Sequence, residues 1–186
     1  MGAFAKKPAT YEDLLGVPNT KIAELINGTL YEFARPRTTH VSATSTLGEI
    51  LGPPFKRGRG GPGGWLILDE PELHLGADIL VPDLAGWRRE RMPEMPDAPY
   101  LELAPDWVCE VLSPSTAALD RSEKLPIYGA RAVKYVWFID PAIRTLEVLT
   151  FDRARWQVEA VFSGEAVVRA TPFEAIELTL AELWAR

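Results

Sequence analysis

The sequence predicts a mixed α/β (α+β) protein with one central β-sheet flanked by helices. Asn27-Gly28 separates the runs 22–26 and 29–33, the strongest short-range signal for a hairpin. Residues 135–139 (Tyr-Val-Trp-Phe-Ile) are apolar throughout, as expected of a strand in the middle of a sheet covered on both faces. Residues 38–51 carry apolar side chains at helical spacing (Val41, Leu47, Ile50, Leu51), and 116–132 reads as mostly helix.

The other elements follow in order. Thr10 with Asp13 three residues on predicts a short helix over 10–15, stopped by Pro18. Thr38 or Thr39 is the expected cap of the 38–51 helix. Residues 58–64, rich in glycine, read as a loop and lack the Lys-Ser/Thr ending of a phosphate-binding loop. Strands are expected at 65–68, at 79–87 with an interruption at Pro82, and at 106–112. The proline-rich stretch 88–104 reads as an exposed loop, 143–151 and 156–162 as a hairpin about Asp152-Arg153, and 179–185 as a closing helix. A length of 186 residues without a repeat or composition break predicts one domain over 1–186, with 1–9 as a flexible N-terminus.

Composition narrows the function classes. With 47% hydrophobic and 10% aromatic residues the chain can build a core. A single cysteine (Cys109) excludes a disulfide framework and a cysteine zinc cluster, and suits a reducing cytoplasm; two histidines argue against a histidine-rich metal site. The N-terminus does not read as a signal peptide, and no window reaches the roughly 20 apolar residues of a membrane span. A net charge of −6 argues against a charge-driven nucleic-acid coat, though not against a local cleft. Two basic clusters, Lys56-Arg57-Gly58-Arg59 and Arg88-Arg89 with Arg91, read singly as solvated loops.

The chemistry concentrates around Val81-Pro82-Asp83, Cys109-Glu110-Val111-Leu112-Ser113 and Asp120-Arg121-Ser122-Glu123-Lys124. A carboxylate inside an apolar strand needs a partner, because burying an unpaired charge is expensive. Two acids and a lysine are what a magnesium-dependent phosphodiesterase requires: the acids hold a hard cation, and the lysine stabilises charge or steers water.

These residues resemble a known family. Pro82-Asp83, Glu110-Val111-Leu112-Ser113-Pro114-Ser115-Thr116, Asp120-Arg121, Lys124, Tyr128, and Trp137 ahead of Asp140-Pro141 look like the Uma-type restriction endonucleases, a branch of the PD-(D/E)XK nuclease superfamily. Glu24-Leu25-Ile26-Asn27-Gly28 matches the family's N-terminal segment, and His40 falls where the family often has a histidine opening a helix. The resemblance implies a restriction-endonuclease-like core and Mg²⁺- or Mn²⁺-dependent hydrolysis of DNA, with duplex DNA as the expected substrate. It implies Asp83 and Glu110 as metal ligands, Lys124 as the catalytic lysine and Glu24 as a supporting acid. It also suggests a homodimer, since two strands need two sites, with loops 58–64 and 88–104 as clamps. The superfamily lysine normally lies two residues after the second acid; here that position is Leu112, and Lys124 must arrive from the next helix, which Pro126 would bend.

Simpler roles exist for the same residues. Asp83 also reads as a turn aspartate after Pro82, Lys124 as an i, i+4 surface partner of Asp120, and Glu24 as an outward residue of a hairpin strand. Asp120 reads as an orienting or capping residue, His40 as a helix-opening residue, Ser113 as a helix entry without a histidine to activate it, and Cys109 as core. Two other functions fit the same pattern: a catalytically silent binding or regulatory module of this fold, or a metal-dependent hydrolase of small phosphodiesters.

Overall fold

A computed structural model describes residues 8–184. Helix α1 (Tyr11–Leu15) carries the expected capping box: the Thr10 side chain accepts from the Asp13 amide, and the Asp13 carboxylate accepts from the Thr10 amide. Strands β1 (Lys21–Ile26) and β2 (Thr29–Ala34) form the predicted hairpin. Asn27 (φ 50°) and Gly28 (φ 74°) both take the left-handed conformation that a two-residue turn between twisted strands demands. With β4 (Leu73–Leu75) and β5 (Asp78–Leu80), which pair with each other, the hairpin builds a four-stranded sheet in the order β2-β1-β5-β4. Of the N-terminus expected to be flexible, residues 1–7 lie outside the described residues; the Ala9 amide donates to the Gly28 carbonyl.

The larger sheet comprises β3 (Trp65–Asp69), β6 (Leu84–Arg88), β7 (Trp107–Val111), β8 (Tyr135–Asp140), β9 (Thr145–Asp152) and β10 (Arg155–Ser163). Its order is β10-β9-β8-β7-β6-β3, with β7 and β8 parallel and the remaining pairs antiparallel. A parallel pair needs a crossover. It is supplied by α3 (Ala117–Leu119), a π-helical turn Asp120–Lys124 and α4 (Leu125–Ala130). The central, doubly covered position of β8 is the one its uninterrupted apolar run predicts.

Period-two alternation sorts the sheet into two cores. Trp65, Ile67, Leu84, Trp107, Cys109, Val111, Trp137 and Ile139 pack on one face, beneath α2 (Thr38–Leu51) and the C-terminal segment with Phe173. Leu66, Ala85, Trp87, Val108, Val136 and Phe138 pack on the other, with Ile127 and Tyr128 of α4 and Leu73, Leu75 and Leu80 of the smaller sheet. Glu110 shares the parity of Val108, so its side chain emerges on this second face, between the large sheet, α4 and the hairpin.

Several local expectations change. The run 79–87 is two strands in two sheets, because Pro82 has no amide proton and ends the ladder between them. The α2 cap is Arg37, with no side-chain cap bond, rather than Thr38 or Thr39. The closing helix is a short 3-10 helix, Leu180–Trp184, following the pair β11 (Val167–Val168) and β12 (Leu178–Thr179). The proline-rich loop is not wholly exposed: Met92 and Leu101 are buried, and Leu101 exchanges backbone bonds with Glu72 and His74. Among the described residues no helix is long and apolar enough to cross a membrane.

Candidate active site

Pro82 and Asp83 complete the edge of β7 in an unusual way. The β6/β7 ladder ends at Leu84↔Cys109, and in that register Pro82 would stand opposite Val111. Proline cannot continue the ladder, and the Asp83 carboxylate takes its place: Oδ2 accepts the Val111 amide at 2.6 Å. Oδ1 lies 3.2 Å from Nε2 of His40 on α2. The His40 pKa is raised: burial pulls it down, but the Asp83 carboxylate and the Val111 carbonyl outweigh burial and favour the imidazolium. Its Nδ1 is buried without a hydrogen-bond partner. Asp83 is thus fixed at the carboxyl end of β7, beside the residue that follows Glu110.

The second group is a buried ion cluster. Lys124 Nζ lies 2.8 Å from Glu110 Oε1, 3.0 Å from Glu24 Oε1 and 3.3 Å from Asp120 Oδ1, and each of the four residues is only 3% exposed. Tyr128 donates its hydroxyl to the same Glu110 oxygen at 2.6 Å, and the Val81 amide donates to Glu24 Oε1 at 2.6 Å. Three elements meet here because each solves part of the burial problem. β7 brings Glu110, β1 brings Glu24, and the π-helical turn brings Asp120 and Lys124. Pro126 does not misdirect the lysine: it sits in the first turn of α4, just after the π-helical turn, where a missing amide proton is tolerated. Asn27 Nδ2 donates to Glu123 Oε2, and the Asn27 amide donates to Asp78, tying the hairpin tip to the turn that carries Lys124.

Three carboxylates around one ammonium leave excess negative charge in a place with little water. Burial pushes the Glu110 carboxyl well above its ordinary range and raises that of Glu24, with Lys124 opposing the shift in both. Burial alone would lower the Lys124 pKa, but the surrounding Glu110 and Glu24 carboxylates hold it well above the usual lysine value. The lysine is therefore a fixed cation at neutral pH, suited to donate and to stabilise negative charge rather than to accept a proton.

Glu24 and Glu110 both contact Lys124, whereas Asp83 is tied to the group through the Val111 amide, the residue after Glu110. The Asp120–Lys124 pair exists, buried rather than on the surface. Tyr128 and His40 belong to the arrangement, and sequence reasoning gave neither a site role. The spacing of Asp120, Lys124 and Tyr128 in steps of four was the available signal for the tyrosine. The second basic cluster is engaged internally: Arg88 covers Trp65, Arg89 donates to the Pro93 carbonyl and Arg91 pairs with Asp106.

The donors suit a hard divalent cation in kind. They are carboxylate oxygens in excess over the local positive charge, and the Lys124 ammonium already stands as a cation among three of them. Among the described residues no three acidic, histidine or cysteine side chains form a ready-made cage. Magnesium needs none, since it commonly takes one or two carboxylates with waters and phosphate oxygens.

The fold is a mixed sheet flanked by helices, with buried acids and a lysine beside its parallel pair of strands. The chain belongs to the Uma2 family, described as "Putative restriction endonuclease", whose model matches residues 8–181. The fold is shared with a crystal structure titled as a putative nuclease belonging to DUF820 from Anabaena variabilis. The TM-score is 0.76 at 23% identity, covering 95% of this chain and 98% of that one. No curated protein matches the sequence.

Proposed function

We propose that this protein is a divalent-metal-dependent endonuclease that hydrolyses DNA phosphodiester bonds, with duplex DNA as substrate and a homodimer as the unit that cuts both strands. The observation that carries the reading is the buried cluster of Glu24, Glu110, Asp120 and Lys124 beside Asp83, in a chain of a restriction-endonuclease family. Such a cluster carries a desolvation cost, and strongly perturbed titratable groups of this kind concentrate at functional sites.

In this reading Asp83 and Glu110 would hold Mg²⁺ or Mn²⁺, and the ion would supply Lewis-acid stabilisation of the phosphoryl oxygen and a more acidic attacking water. The protein's own groups prepare the rest. Tyr128 and Lys124 both bind Oε1 of Glu110, which orients the carboxylate and leaves its second oxygen free of both. The Val111 amide and His40 hold the two oxygens of Asp83. Lys124, kept protonated by its neighbours, steers water or stabilises the charge of the pentacovalent phosphorus. Glu24 anchors Lys124 and, through the Val81 amide, the strand exit that leads to Asp83.

Nicking of supercoiled plasmid with Mg²⁺ or Mn²⁺ tests this. The wild type should nick, and Asp83→Ala, Glu110→Ala and Lys124→Ala should each lose most activity. Equal nicking by all four proteins would exclude the site. A wild type that never nicks would identify a silent module of this fold, and cleavage confined to small phosphodiesters would identify the small-substrate hydrolase.

A further inference from the structure

We propose that Tyr31, Phe33, Arg35 and Arg37 form a docking track for single-stranded DNA along the rim of the acidic site. The inference rests on the nuclease reading and adds to it a place beside the site where one strand, unpaired from the duplex, is held.

Placement comes first. In the β1/β2 ladder Tyr31 stands opposite Glu24 and Phe33 opposite Ile22, so both aromatic rings lie on the face of the hairpin that bears Glu24. The same segment ends at His40, which pairs with Asp83. The stretch from Tyr31 to His40 therefore borders the site from one acidic group to the other. β2 is the edge strand of its sheet, and both rings are only partly buried. They lie parallel to within 4°, with centroids 6.3 Å apart.

Charge comes second. Arg35 and Arg37 continue the alternation beyond the strand, and both are exposed. Arg35 donates to the neutral Asn19 carbonyl, and among the described residues neither arginine pairs with a carboxylate. The neighbouring acid, Glu32, points to the opposite face and is neutralised there by Lys21 at 2.6 Å. In a chain with net charge −6, two uncompensated guanidinium groups next to a carboxylate-rich site form a local attraction for phosphate.

Parallel aromatic rings followed by arginines match the chemistry of an unpaired strand. Every base offers a π face for stacking, and the backbone supplies phosphates at intervals. Bases inside a duplex already stack on one another and present only their edges, so the rings favour a single strand.

Fluorescence anisotropy of a labelled short oligothymidylate, in EDTA so that no cleavage occurs, tests the track. The comparison uses the wild type, Tyr31→Leu with Phe33→Leu, and Arg35→Gln with Arg37→Gln. Leucine keeps the half-buried apolar packing while removing the π face, and circular dichroism confirms that each variant folds. The wild type should bind the oligonucleotide better than a blunt duplex of equal length. The leucine variant should bind roughly tenfold more weakly or worse, and the glutamine variant should bind more weakly with a shallower salt dependence. Unchanged binding by the leucine variant, no binding by the wild type, or duplex bound as tightly as single strand would overturn the proposal. Asp83→Ala should retain the binding while losing any plasmid nicking, which separates failure of the track from failure of the nuclease reading.

Discussion

At the scale of single residues the central fact is that Lys124 is almost wholly buried, with three carboxylates around it. Removing the cation leaves those acids buried and uncompensated, so Lys124→Met should cost about 3–5 kcal/mol in urea unfolding. A surface bridge to Asp120 alone would cost under about 1 kcal/mol. Glu110 gives a pH signature. Burial pushes its native pKa well above the ordinary glutamate value. Between those two values the unfolded chain loses the proton while the native one keeps it, so stability falls as pH rises through that window. Glu110→Gln removes this slope, and the melting temperature of the variant minus that of the wild type should become more positive with rising pH. Parallel curves would show that Glu110 is not buried as described. The i, i+4 spacing made the Asp120–Lys124 pair legible in the sequence. Its burial was not legible, because it depends on Glu24 arriving from a hairpin about a hundred residues earlier in the chain. His40 was harder still, since its partner Asp83 is set by where the β6/β7 ladder ends.

At the scale of elements, local chemistry was read most reliably where one residue type has few alternatives. The Asn27-Gly28 turn and the Thr10–Asp13 capping box formed as their residues predict. Gly28 has a φ of 74°, and an added Cβ would lie 3.1 Å from Pro8 Cβ. Gly28→Ala should therefore destabilise by about 1–2 kcal/mol, measured by chemical denaturation; no change would mean that the turn relaxes freely. Pro82 shows the limit of such reading. Its interruption of 79–87 was visible, but only the pairing partners reveal that the two halves enter different sheets. The break is also what makes the site, because it leaves the Val111 amide for Asp83 to bind. The π-helical turn at Asp120–Lys124 had no readable signature beyond Pro126.

At the scale of the whole molecule, elements covering the sheet from opposite sides converge on the carboxyl end of β7. α2 brings His40 to Asp83 from one face, while α4 and the hairpin enclose Glu110 on the other. The first face is closed by Phe173, whose ring meets Phe55, Trp65, Trp107 and Trp137 at centroid distances of 4.6–5.6 Å. Phe173→Ala should cost about 3–5 kcal/mol in urea unfolding, with a value near zero contradicting this packing. The sheet and its flanking helices could be anticipated from alternation and apolar runs, whereas the C-terminal segment, with few periodic residues, could not. In the proposed mechanism Asp83 and Glu110, on either side of the Val111 backbone, would share one divalent cation. Calorimetric titration of Mn²⁺ tests it most directly. The wild type should bind a single ion per chain, and both Asp83→Ala and Glu110→Ala should abolish that binding while remaining folded. Binding that survives in both variants, or a wild type that takes up no ion, would contradict the account.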